Sequence, residues 1–502
     1  MTSLSSSERP SSKPQVCAID IGTSGVRAAL FDDRGHEVPG AQARNRRAFT
    51  TVSDFAELDA DKIVDEVIKT VDELLASYSG DQVRCIAIST FWHSLIGIDA
   101  AGLPTTPVLT WADTRAALFA KQLRSNFDEL EIHSRTGCRF HPSYWPAKLE
   151  WLKSEHHERF RNTRCWLGFA EYLCLHLFGE RATSISMASA TGLFNQRECE
   201  WDRDLVQALG ISPDTLPEVR NSGGKPLFPT CSGPRLLDAL AARWPALAGA
   251  RLITIVGDGG ANNIGAGCST KDRIALMIGT SGAMRVVFAG GPPHELSPAL
   301  WSYRVCEKRV AVGGALSDGG GLLQWLTESL NLDAHQSEIA ALEPDAHGLT
   351  VLPFWSGERS TGWSTDARGG IFGLRQGTRP VEIVRATLES IAYRFALIAR
   401  ALDRVAPGAT IVASGNALRS SPVWLQIIAD VLGRPLMFGG SAESSIRGAA
   451  LLALEAVGKI ETIEEDSISI DQVYEPDMSR HARYQQGLAR QEELYEQLYG
   501  RN

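Results

Sequence analysis

Apolar residues along this chain follow two patterns that alternate. Short continuous apolar runs of strand length end at glycine or polar residues, at 16–19, 83–89, 252–256, 274–277 and 410–413. Between them, apolar positions recur every three or four residues, which predicts amphipathic helices at 59–77, 322–330, 381–405, 422–432, 445–457 and 479–498. Strands that alternate with helices are typical of the α/β class, so the pattern predicts an α/β protein.

The composition narrows the range of functions. The 502 residues are 44% hydrophobic and 22% charged, which is globular, and the length suits roughly two to four domains. The formal charge is −9 and no basic run occurs, so a nucleic-acid surface is not expected. No apolar stretch reaches the roughly 18 residues of a membrane span, so no membrane partner is expected either.

The N-terminus and the cysteines bear on localisation. Residues 1–13 are rich in serine and lack an apolar segment, which predicts a disordered tail and no secretory signal. The nine cysteines are scattered and form no Cys-x-x-Cys pair, which predicts reduced thiols and no cysteine-bound metal. We therefore expect a cytoplasmic protein.

The pentapeptide Ile-Gly-Thr-Ser-Gly occurs twice, at 21–25 and 278–282, about half the chain apart. Each copy follows an apolar run and continues into an arginine, which predicts a strand, a tight turn and a second strand. Such a turn presents backbone N–H groups and small hydroxyls that suit phosphate oxygens. The phosphate-binding candidates are Gly22, Thr23, Ser24, Arg27, Gly279, Thr280 and Ser281. One such turn is usually a plain hairpin, with Arg27 as a surface residue, but two copies predict two related domains that clamp one polyphosphate.

Two aspartates at strand ends are candidates for chemistry. Asp258 ends an apolar run, and the small residues Gly259, Gly260 and Ala261 after it would leave room for a substrate. A carboxylate there could accept a hydroxyl proton as a catalytic base, or it could equally cap the following helix. Asp20 precedes the first phosphate turn and is a candidate Mg²⁺ ligand, direct or through water, or else it stabilises the turn.

Small residues at two further strand ends are nucleotide-binding candidates. Gly320 and Gly321 open a predicted helix, whose N-terminus would favour an anion. Gly415 and Asn416 follow the strand at 410–413 and would let an adenine ring approach the backbone closely. The alternative in both places is a simple turn.

In their order along the chain, these motifs resemble those of the FGGY family of carbohydrate kinases, from about residue 16 to about residue 474. The resemblance is carried by segments 17–27, 257–265, 278–282, 352–359, 366–374 and 414–416, where Ser414 and Asn416 replace the commoner glycines. It implies an α/β fold of two duplicated actin-like ATPase (ribonuclease H-like) domains with an interdomain cleft. The implied parts are a sugar-binding domain at 14–262, a nucleotide-binding domain at 263–478 and a C-terminal helix at 479–502.

The resemblance also implies a reaction. Family members transfer a phosphoryl group from ATP, with Mg²⁺, to a hydroxyl group of a small sugar, which favours Asp258 as the base and Asp20 as the metal-binding residue. Within the family, segments 93–96, 110–116, 136–142 and 187–195 are most similar to those of gluconokinases, which convert D-gluconate to 6-phosphogluconate. Segment 136–142 and Trp92, which replaces a smaller residue, depart from the usual pattern near the sugar site.

Four residues in these segments are substrate-binding candidates beside Asp258. His93 can donate to or accept from hydroxyls, Asp113 can accept two hydroxyl donors, and Trp111 offers an apolar face to a polyol. Arg115 could pair with a sugar carboxylate or equally with Asp113. The remaining tryptophans at 145, 151, 166 and 325 are predicted to be core residues.

Two alternatives to gluconate phosphorylation stay open. The first is a pentulose (xylulose or ribulose) or other polyol kinase of the same family, and the second is a non-catalytic actin-like filament or sugar sensor. A chaperone ATPase of this fold would need a peptide-binding domain, for which no residues remain. A homodimer is compatible with the sequence.

Overall fold

The computed structural model describes residues 13–47, 55–78, 80–220, 233–330, 336–439, 443–465 and 470–500. The predicted N-terminal tail therefore lies outside the described residues, apart from Lys13. None of the helices in these ranges is both long and apolar enough to cross a lipid bilayer.

The first half of the chain alternates strands and helices as predicted. Its strands are β1 (Val16–Gly22), β2 (Gly25–Phe31), β3 (Glu37–Arg46), β4 (Glu57–Leu58), β5 (Cys85–Thr90), β6 (Ile96–Ile98), β7 (Val108–Leu109), β8 (Cys165–Leu167), β9 (Thr183–Ser184), β10 (Phe194–Asn195), β11 (Glu200–Trp201), β12 (Val219–Arg220) and β13 (Arg251–Gly257). Its helices are α1 (Ala60–Ala76), α2 (Ala117–Asn126), α3 (Glu129–Thr136), α4 (Trp145–Glu155), α5 (His157–Asn162), α6 (Phe169–Phe178), α7 (Ile185–Ser189), α8 (Arg203–Ala208), α9 (Asp238–Arg243) and α10 (Asp258–Gly265).

The second half continues in the same way. Its strands are β14 (Arg273–Ile278), β15 (Gly282–Ala289), β16 (Trp301–Cys306), β17 (Arg309–Leu316), β18 (Thr350–Leu352), β19 (Gly370–Phe372), β20 (Thr410–Ser414), β21 (Leu436–Gly439) and β22 (Ile470–Tyr474). Its helices are α11 (Gly320–Ser329), α12 (Gln336–Ala341), α13 (Pro380–Leu402), α14 (Asn416–Arg419), α15 (Pro422–Leu432), α16 (Ser444–Ala456) and α17 (Met478–Tyr499).

Local sequence accounts for the ends of the helices. Asp59 caps α1 by accepting a hydrogen bond from the Lys62 N–H at 3.2 Å, and the apolar positions of α1 face the first sheet. Pro422 stands at the first position of α15, and Gly433 ends that helix in the left-handed conformation. These signals explain why the predicted helices at 59–77 and 422–432 agree with the observed ones.

The two larger sheets share one topology. The first has the order β13-β5-β1-β2-β3, in which β1, β2 and β3 are antiparallel and β5 and β13 run parallel to β1. In the second, β17-β15-β14-β20-β21 repeat this arrangement, and β16 and β22 extend the two edges. Strands β1 and β14 hold equivalent places, and each leads into one copy of the repeated pentapeptide. The predicted duplicated α/β fold is confirmed.

Helix α16 belongs to the second half in sequence but packs on the first sheet. Its apolar residues share a core with β1, β5 and β13. It also crosses α10 at backbone contact, because a Cβ on Gly448 would lie 1.9 Å from the Ala261 carbonyl oxygen, and one on Gly265 would lie 1.8 Å from that of Ser444. The domain bounds expected from the sequence stay a prediction. Helix α16 connects the two halves, because it lies between β21 and β22 of the second sheet in sequence and packs on the first.

Edge strand β16, which the sequence pattern did not predict, also contacts the first half. The Ser302 N–H donates to the Gly137 carbonyl at 3.0 Å, and the His133 ring lies 2.8 Å from the Leu300 carbonyl oxygen. Trp301 and Tyr303 of this strand lie in the same core as Trp92. Aromatic side chains from the second half thereby reach the region of the predicted sugar site.

The tryptophan predictions are confirmed with one exception. Trp145, Trp151 and Trp166 are buried, whereas Trp325 is 49% exposed on α11. The prediction for Trp325 was wrong because the apolar face of α11 is formed by Leu322 and Leu326, and Trp325 lies beside it, 5.9 Å from the ring of Trp355.

Candidate active site

Two adjoining cavities lie between the two halves. The larger, called the cleft below, has a volume of about 1170 Å³ and is lined by residues of both repeated turns. The smaller, called the inner pocket, has a volume of about 170 Å³ and shares Thr23, Trp111 and Ser281 with the cleft. Predicted residues that line the cleft are Thr23, Ser24, Arg27, Trp111, Arg115, Gly279, Thr280, Ser281, Gly320, Gly321, Gly415 and Asn416. The inner pocket adds Asp258 and His93.

Arg47, which was not predicted from the sequence as a site residue, holds the first turn through its backbone. The Arg47 guanidinium donates to the carbonyl oxygens of Gly22 at 2.7 Å and Thr23 at 3.2 Å, and it pairs with Glu66 at 2.5 Å. Gly22 itself lines neither cavity, so its part is to shape the turn. The Thr23 and Ser24 side chains are left at the surface of the cleft.

The second turn is one residue longer than the first. Gly22 pairs with Gly25 around Thr23 and Ser24, whereas Ile278 pairs with Gly282 around three residues. The N-terminal amides of α11 bind this longer turn, because the N–H groups of Gly320 and Gly321 donate to the carbonyls of Gly279 and Thr280 at 2.8 and 3.0 Å. These two amides therefore already donate to backbone carbonyls, whereas the sequence had suggested a helix N-terminus available to an anion.

Glycine is required at two of the nucleotide candidates for reasons of space. A Cβ on Gly320 would lie 2.5 Å from that of Ala417, and α11 could not then approach α14. Gly415 has φ +108, and a Cβ there would lie 2.2 Å from the Ile278 carbonyl oxygen. Both glycines and the exposed Asn416 line the cleft.

Asp20 is buried beneath Arg27. The Arg27 guanidinium donates to Asp20 Oδ2 at 3.1 Å and pairs with Glu443 Oε2 at 2.9 Å. Burial raises the pKa of Asp20 to about 6, against the opposing effect of Arg27. Asp20 lines neither cavity, so this carboxylate fits a hydrated Mg²⁺ contacted through water better than an ion bound directly.

Asp258 is the first residue of α10 and lines the inner pocket. Gly257 occupies the N-cap position, and Asp258 Oδ1 accepts from the Gly259 N–H at 2.8 Å. Burial raises the pKa of Asp258, while Arg285 opposes that shift. A carboxylate with a raised pKa is a stronger proton acceptor, as a general base requires.

The space beside Asp258 that was expected for a substrate is partly filled by Trp92. A Cβ on Gly257 would lie 1.9 Å from the Trp92 indole, and one on Gly259 would lie 2.6 Å from it. The indole N–H donates to the Ser186 carbonyl at 3.1 Å. The glycines of this segment thus accommodate a tryptophan, which corrects the expectation from the sequence.

His93 lines the inner pocket, and within the described parts of the chain only one of its two ring nitrogens has a hydrogen-bond partner. Its Nδ1 lies 2.7 Å from the Ala190 carbonyl oxygen, which can only accept, so Nδ1 carries the proton. Burial lowers the pKa of His93 to about 3, which keeps the ring neutral and leaves Nε2 as an acceptor. His93 has φ +66, an uncommon conformation for a residue with a Cβ, held here by the surrounding contacts.

Asp113 and Arg115 form an ion pair with each other, the alternative that the sequence left open. Arg115 Nε and Nη2 donate to the Asp113 carboxylate at 3.0 and 2.5 Å, and Nη2 also contacts Glu57 at 2.8 Å. Asp113 is buried and lines neither cavity. The pair orders the loop that carries Trp111, and Arg115 has two carboxylate partners before any ligand binds.

Lys148 fastens the loops around the inner pocket. Its buried ammonium donates to the carbonyls of His93, Thr110 and Ser143 at 2.8 to 3.0 Å. Burial lowers the pKa of Lys148 to about 7, against the attraction of Asp113. This lysine therefore positions the candidate residues His93 and Trp111 from behind the pocket.

The inner pocket contains a set of residues that sequence reasoning did not assign. They are aromatic or basic: Trp92, Tyr144, Trp301, Tyr303, Trp363, Arg285 and Arg359. Tyr144 and Tyr303 share a hydrogen bond at 2.5 Å, and the rings of Trp301 and Tyr303 stack 4.2 Å apart. Arg359 ends segment 352–359, and Arg285 is the arginine that follows the second pentapeptide, so the sequence offered a signal for both.

Comparison with known proteins decides the family. The FGGY carbohydrate kinase N-terminal domain matches residues 15–229, and the FGGY C-terminal domain matches residues 275–457. The chain belongs to the FGGY family of carbohydrate kinases. As an FGGY kinase it is a phosphotransferase with an alcohol acceptor, it uses ATP as a substrate, and its other substrate is a small sugar.

Individual relatives of this FGGY kinase have different sugars in their names. The chain is 30% identical over 473 residues to a gluconokinase of Bacillus subtilis, covering 91% of this chain and 90% of that one. It is also 30% identical over 453 residues to a glycerol kinase of Gloeobacter violaceus, covering 87% of each.

Similar solved structures are also named as kinases of different sugars. A gluconate kinase of Lactobacillus acidophilus superposes with a TM-score of 0.85 at 27% identity, and a xylulose kinase of the same species with 0.86 at 27% identity. Each alignment covers 97% of this chain and 99% of the other.

Proposed function

We propose that this enzyme phosphorylates D-gluconate to 6-phosphogluconate. The observation that carries the proposal is the inner pocket, where Asp258 and His93 stand beside two arginines that have no carboxylate partner within ion-pair distance among the described residues. Asp258 and Asp318 act on these guanidinium groups only at longer range, so a substrate carboxylate could still form a direct ion pair there. Similarity to gluconokinases over most of the chain supports the same conclusion.

The proposed roles follow from the contacts. Asp258 accepts the proton of the primary hydroxyl as that oxygen attacks the γ-phosphorus of ATP. His93 Nε2 accepts a hydrogen bond from a second hydroxyl, and Trp111 offers its apolar face to the carbon chain. Thr23, Ser24, Thr280 and Ser281 donate to the phosphates from the two sides of the cleft. Arg27, which pairs with Asp20 and Glu443, also lines the cleft.

The remaining assignments concern the nucleotide and its metal. The adenine would lie against Gly415 and Asn416, with Gly320 and Gly321 allowing the close approach of α11. Asp20 is the residue that would hold Mg²⁺, through water, and the ion would supply positive charge that neutralises the phosphates. We also propose cytoplasmic localisation, and the domain bounds 14–262 and 263–478 with a C-terminal helix at 479–502.

Steady-state kinetics test the substrate. ADP release would be measured with gluconate, xylulose, ribulose and glycerol at equal ATP and Mg²⁺. We expect gluconate to have the highest kcat/KM of the four. A pentulose kinase is the second candidate, because the solved xylulose kinase is as similar as the gluconate kinase. Turnover of xylulose or ribulose without turnover of gluconate would replace the first proposal by the second.

A further inference from the structure

Helix α10 directs two polar side chains toward the cavities, and only Asp258 has a proposed role so far. Asp258 and Asn262 are half-buried, whereas the other six residues of α10 are buried. The two stand four residues apart, which places them on one face of the helix with their Cβ atoms about 5–6 Å apart. Asp258 lines the inner pocket, and Asn262 lines the cleft together with residues of both repeated turns. The helix thus connects the proposed base to the proposed phosphate site.

Arg285 fixes the direction of the Asn262 amide. Its Nη2 donates to Asn262 Oδ1 at 3.1 Å. A guanidinium has no acceptor atom, so the amide atom that faces it must be the oxygen. The Nδ2 amino group then points away from Arg285, and it makes no hydrogen bond to another residue among those that the structure describes. Because the side chain lines the cleft, this amino group is the part left for a ligand there.

Asn263 shows what an asparagine with a purely internal role looks like on the same helix. It is fully buried, and its Oδ1 accepts from Arg285 Nε at 3.0 Å. Its Nδ2 donates to the Arg285 carbonyl at 3.0 Å, so both ends of this amide are bound within the protein. Asn263 therefore anchors Arg285 to α10 by itself, and the amino group of Asn262 takes no part in that anchor.

The Asn262 amide is fixed and polarised before any ligand binds. Helix α10 is held by α16, which it meets at backbone contact through Gly265 and Gly448. A buried, charged donor on the amide oxygen draws electron density from the nitrogen, which strengthens the amide N–H groups as donors. Donors that are in place before the reaction need little reorganisation when charge develops in a transition state.

A neutral donor suits the position one turn after Asp258. A lysine or arginine at position 262 could pair with that carboxylate, as oppositely charged residues four apart on a helix do. Such a pair would lower the pKa of Asp258 and weaken it as a proton acceptor. An amide can donate to a phosphoryl oxygen and leave the pKa of Asp258 raised by burial, as the structure has it.

We infer that Asn262 Nδ2 donates a hydrogen bond to an oxygen of the phosphoryl group in transfer, an inference that rests on the proposed roles of Asp258 and the two turns. In that step the sugar hydroxyl gives its proton to Asp258 while its oxygen bonds to the γ-phosphorus. The bond from this phosphorus to the bridging oxygen breaks, and ADP leaves with that electron pair. Asn262 holds an oxygen of the transferred group in line with the hydroxyl, so it is a catalytic residue for any sugar that the enzyme accepts.

Two substitutions separate this role from support of Arg285. Asn262→Ala removes the oxygen and the amino group, whereas Asn262→Asp keeps an oxygen for Arg285 and replaces the amino group by a second oxygen. We expect kcat to fall about 10- to 150-fold in Asn262→Ala, the value of a hydrogen bond to a charged group, and at least as far in Asn262→Asp. A residue that only positions Arg285 would give the opposite order, with the Asp variant more active than the Ala variant.

Ligands that lack the transferred group give a second readout. ADP has no γ-phosphoryl group, so its affinity, measured by calorimetric titration, should stay at the wild-type value in both Asn262 variants. Asn416→Ala is the matched comparison, an asparagine of the same cleft placed at the proposed adenine site, and it should weaken ADP and ATP alike. The fall in kcat for the Asn262 variants should be the same for every sugar that the wild type phosphorylates.

Three outcomes would overturn the inference. One is a wild-type kcat in Asn262→Ala, and another is an Asp variant that is more active than the Ala variant. The third is an effect confined to KM for the sugar, which would assign Asn262 to sugar binding. Circular dichroism and the melting temperature would establish folding, and either variant alone tests the fall in kcat. A wild type that phosphorylates a pentulose and not gluconate would defeat the proposed substrate, and the same measurements made with that pentulose would still test Asn262.

Discussion

Burial and pairing set the chemistry of each side chain around the inner pocket. His93 is kept neutral by burial and directs Nε2 as an acceptor, because the Ala190 carbonyl takes the proton on Nδ1. The pKa of Asp258 is raised by the same cause. Arg115, in contrast, is committed to Asp113 and Glu57. Side chains of similar type thus differ in their availability to a substrate.

Asp258→Asn tests the proposed base. The amide keeps the size of the side chain but cannot accept the hydroxyl proton, so kcat should fall about 10²- to 10⁴-fold. ATP affinity, measured by titration, should stay near the wild-type value because Asp258 lines the inner pocket and not the cleft. Turnover close to that of the wild type in a folded variant would remove Asp258 from the mechanism.

Asp318→Asn tests the cost of burying a charge near the site. Burial raises the pKa of Asp318 to about 6, although the Ser356 N–H and hydroxyl donate to it at 2.9 Å and Arg359 favours its ionised form. The folded state therefore binds a proton between about pH 4 and pH 6 that the unfolded chain has lost, so this group lowers stability as pH rises through that window.

Asp318→Asn removes this titrating group, so the variant should not lose stability through it as pH rises. The variant should gain about 1–3 kcal/mol in free energy of unfolding at pH 7.5 relative to the wild type, and nothing below pH 4. Urea titrations at pH 4, 5, 6 and 7.5 would measure the difference. A difference that does not change with pH would show that the Asp318 pKa is not raised.

At the scale of the elements, close contacts between helices and loops hold the site together. Helices α10 and α16 meet at Gly265 and Gly448, and α10 begins with Asp258. Helix α17 reaches the loop of Arg359 through Tyr495. The position of two site residues thus depends on elements distant in sequence.

Gly448→Ala tests the contact between α10 and α16. The new methyl group would meet the Ala261 carbonyl oxygen, which is backbone and cannot rotate away. We expect a loss of about 1–3 kcal/mol in free energy of unfolding, as for other overpacked contacts. Gly377→Ala is the control, since a Cβ there would meet nothing within 4 Å. Equal melting temperatures for the two variants would contradict the close helix contact.

Tyr495→Phe tests the link from α17 to the substrate loop. Removing the hydroxyl deprives the buried Glu358 carboxylate of one donor, which should cost about 1.5–3 kcal/mol and raise KM for the sugar. Tyr499→Phe is the matched control, because its hydroxyl contacts the exposed backbone of Arg368 at 3.1 Å. A KM for the sugar that is unchanged in the Tyr495 variant would place the loop outside the influence of α17.

At the scale of the whole molecule, two sheets of the same topology enclose one cleft. The equivalent strands β1 and β14 lead into turns that both line this cleft, and the two turns differ in length by one residue. The residue before each pentapeptide also differs, because it is Asp20 in the first copy and Met277 in the second. The duplication therefore yields an asymmetric site, with one candidate metal-binding carboxylate.

Ligands that bind both halves should draw them together. The cleft is lined from both sides, and closure would exclude water that otherwise hydrolyses ATP. Small-angle scattering should show a smaller radius of gyration with gluconate and a non-hydrolysable ATP analogue than without ligands. The same radius in both samples, with binding verified by calorimetry, would argue against closure.

Much of the fold and part of the site could be predicted from local sequence. The apolar periodicity and capping residues located α1 and α15 almost to the residue, since both are local properties. The repeated pentapeptide indicated the duplication and the two turns of the cleft. Asp258 and His93 were predicted as site residues because each follows a buried strand, where open α/β sheets bind ligands, and both line the inner pocket.

Other features depended on contacts between distant segments, which no local pattern encodes. Strand β16 brings Trp301 and Tyr303 of the second half against Trp92 of the first, and α16 packs on the sheet of the other half. The sequence by itself determined which residues form elements and turns, because those preferences act over a few neighbours. Only the tertiary structure decided that Arg115 pairs with Asp113 and Glu57, whereas Arg359 has no carboxylate within 4 Å among the described residues, because pairing depends on which carboxylates the fold brings within reach.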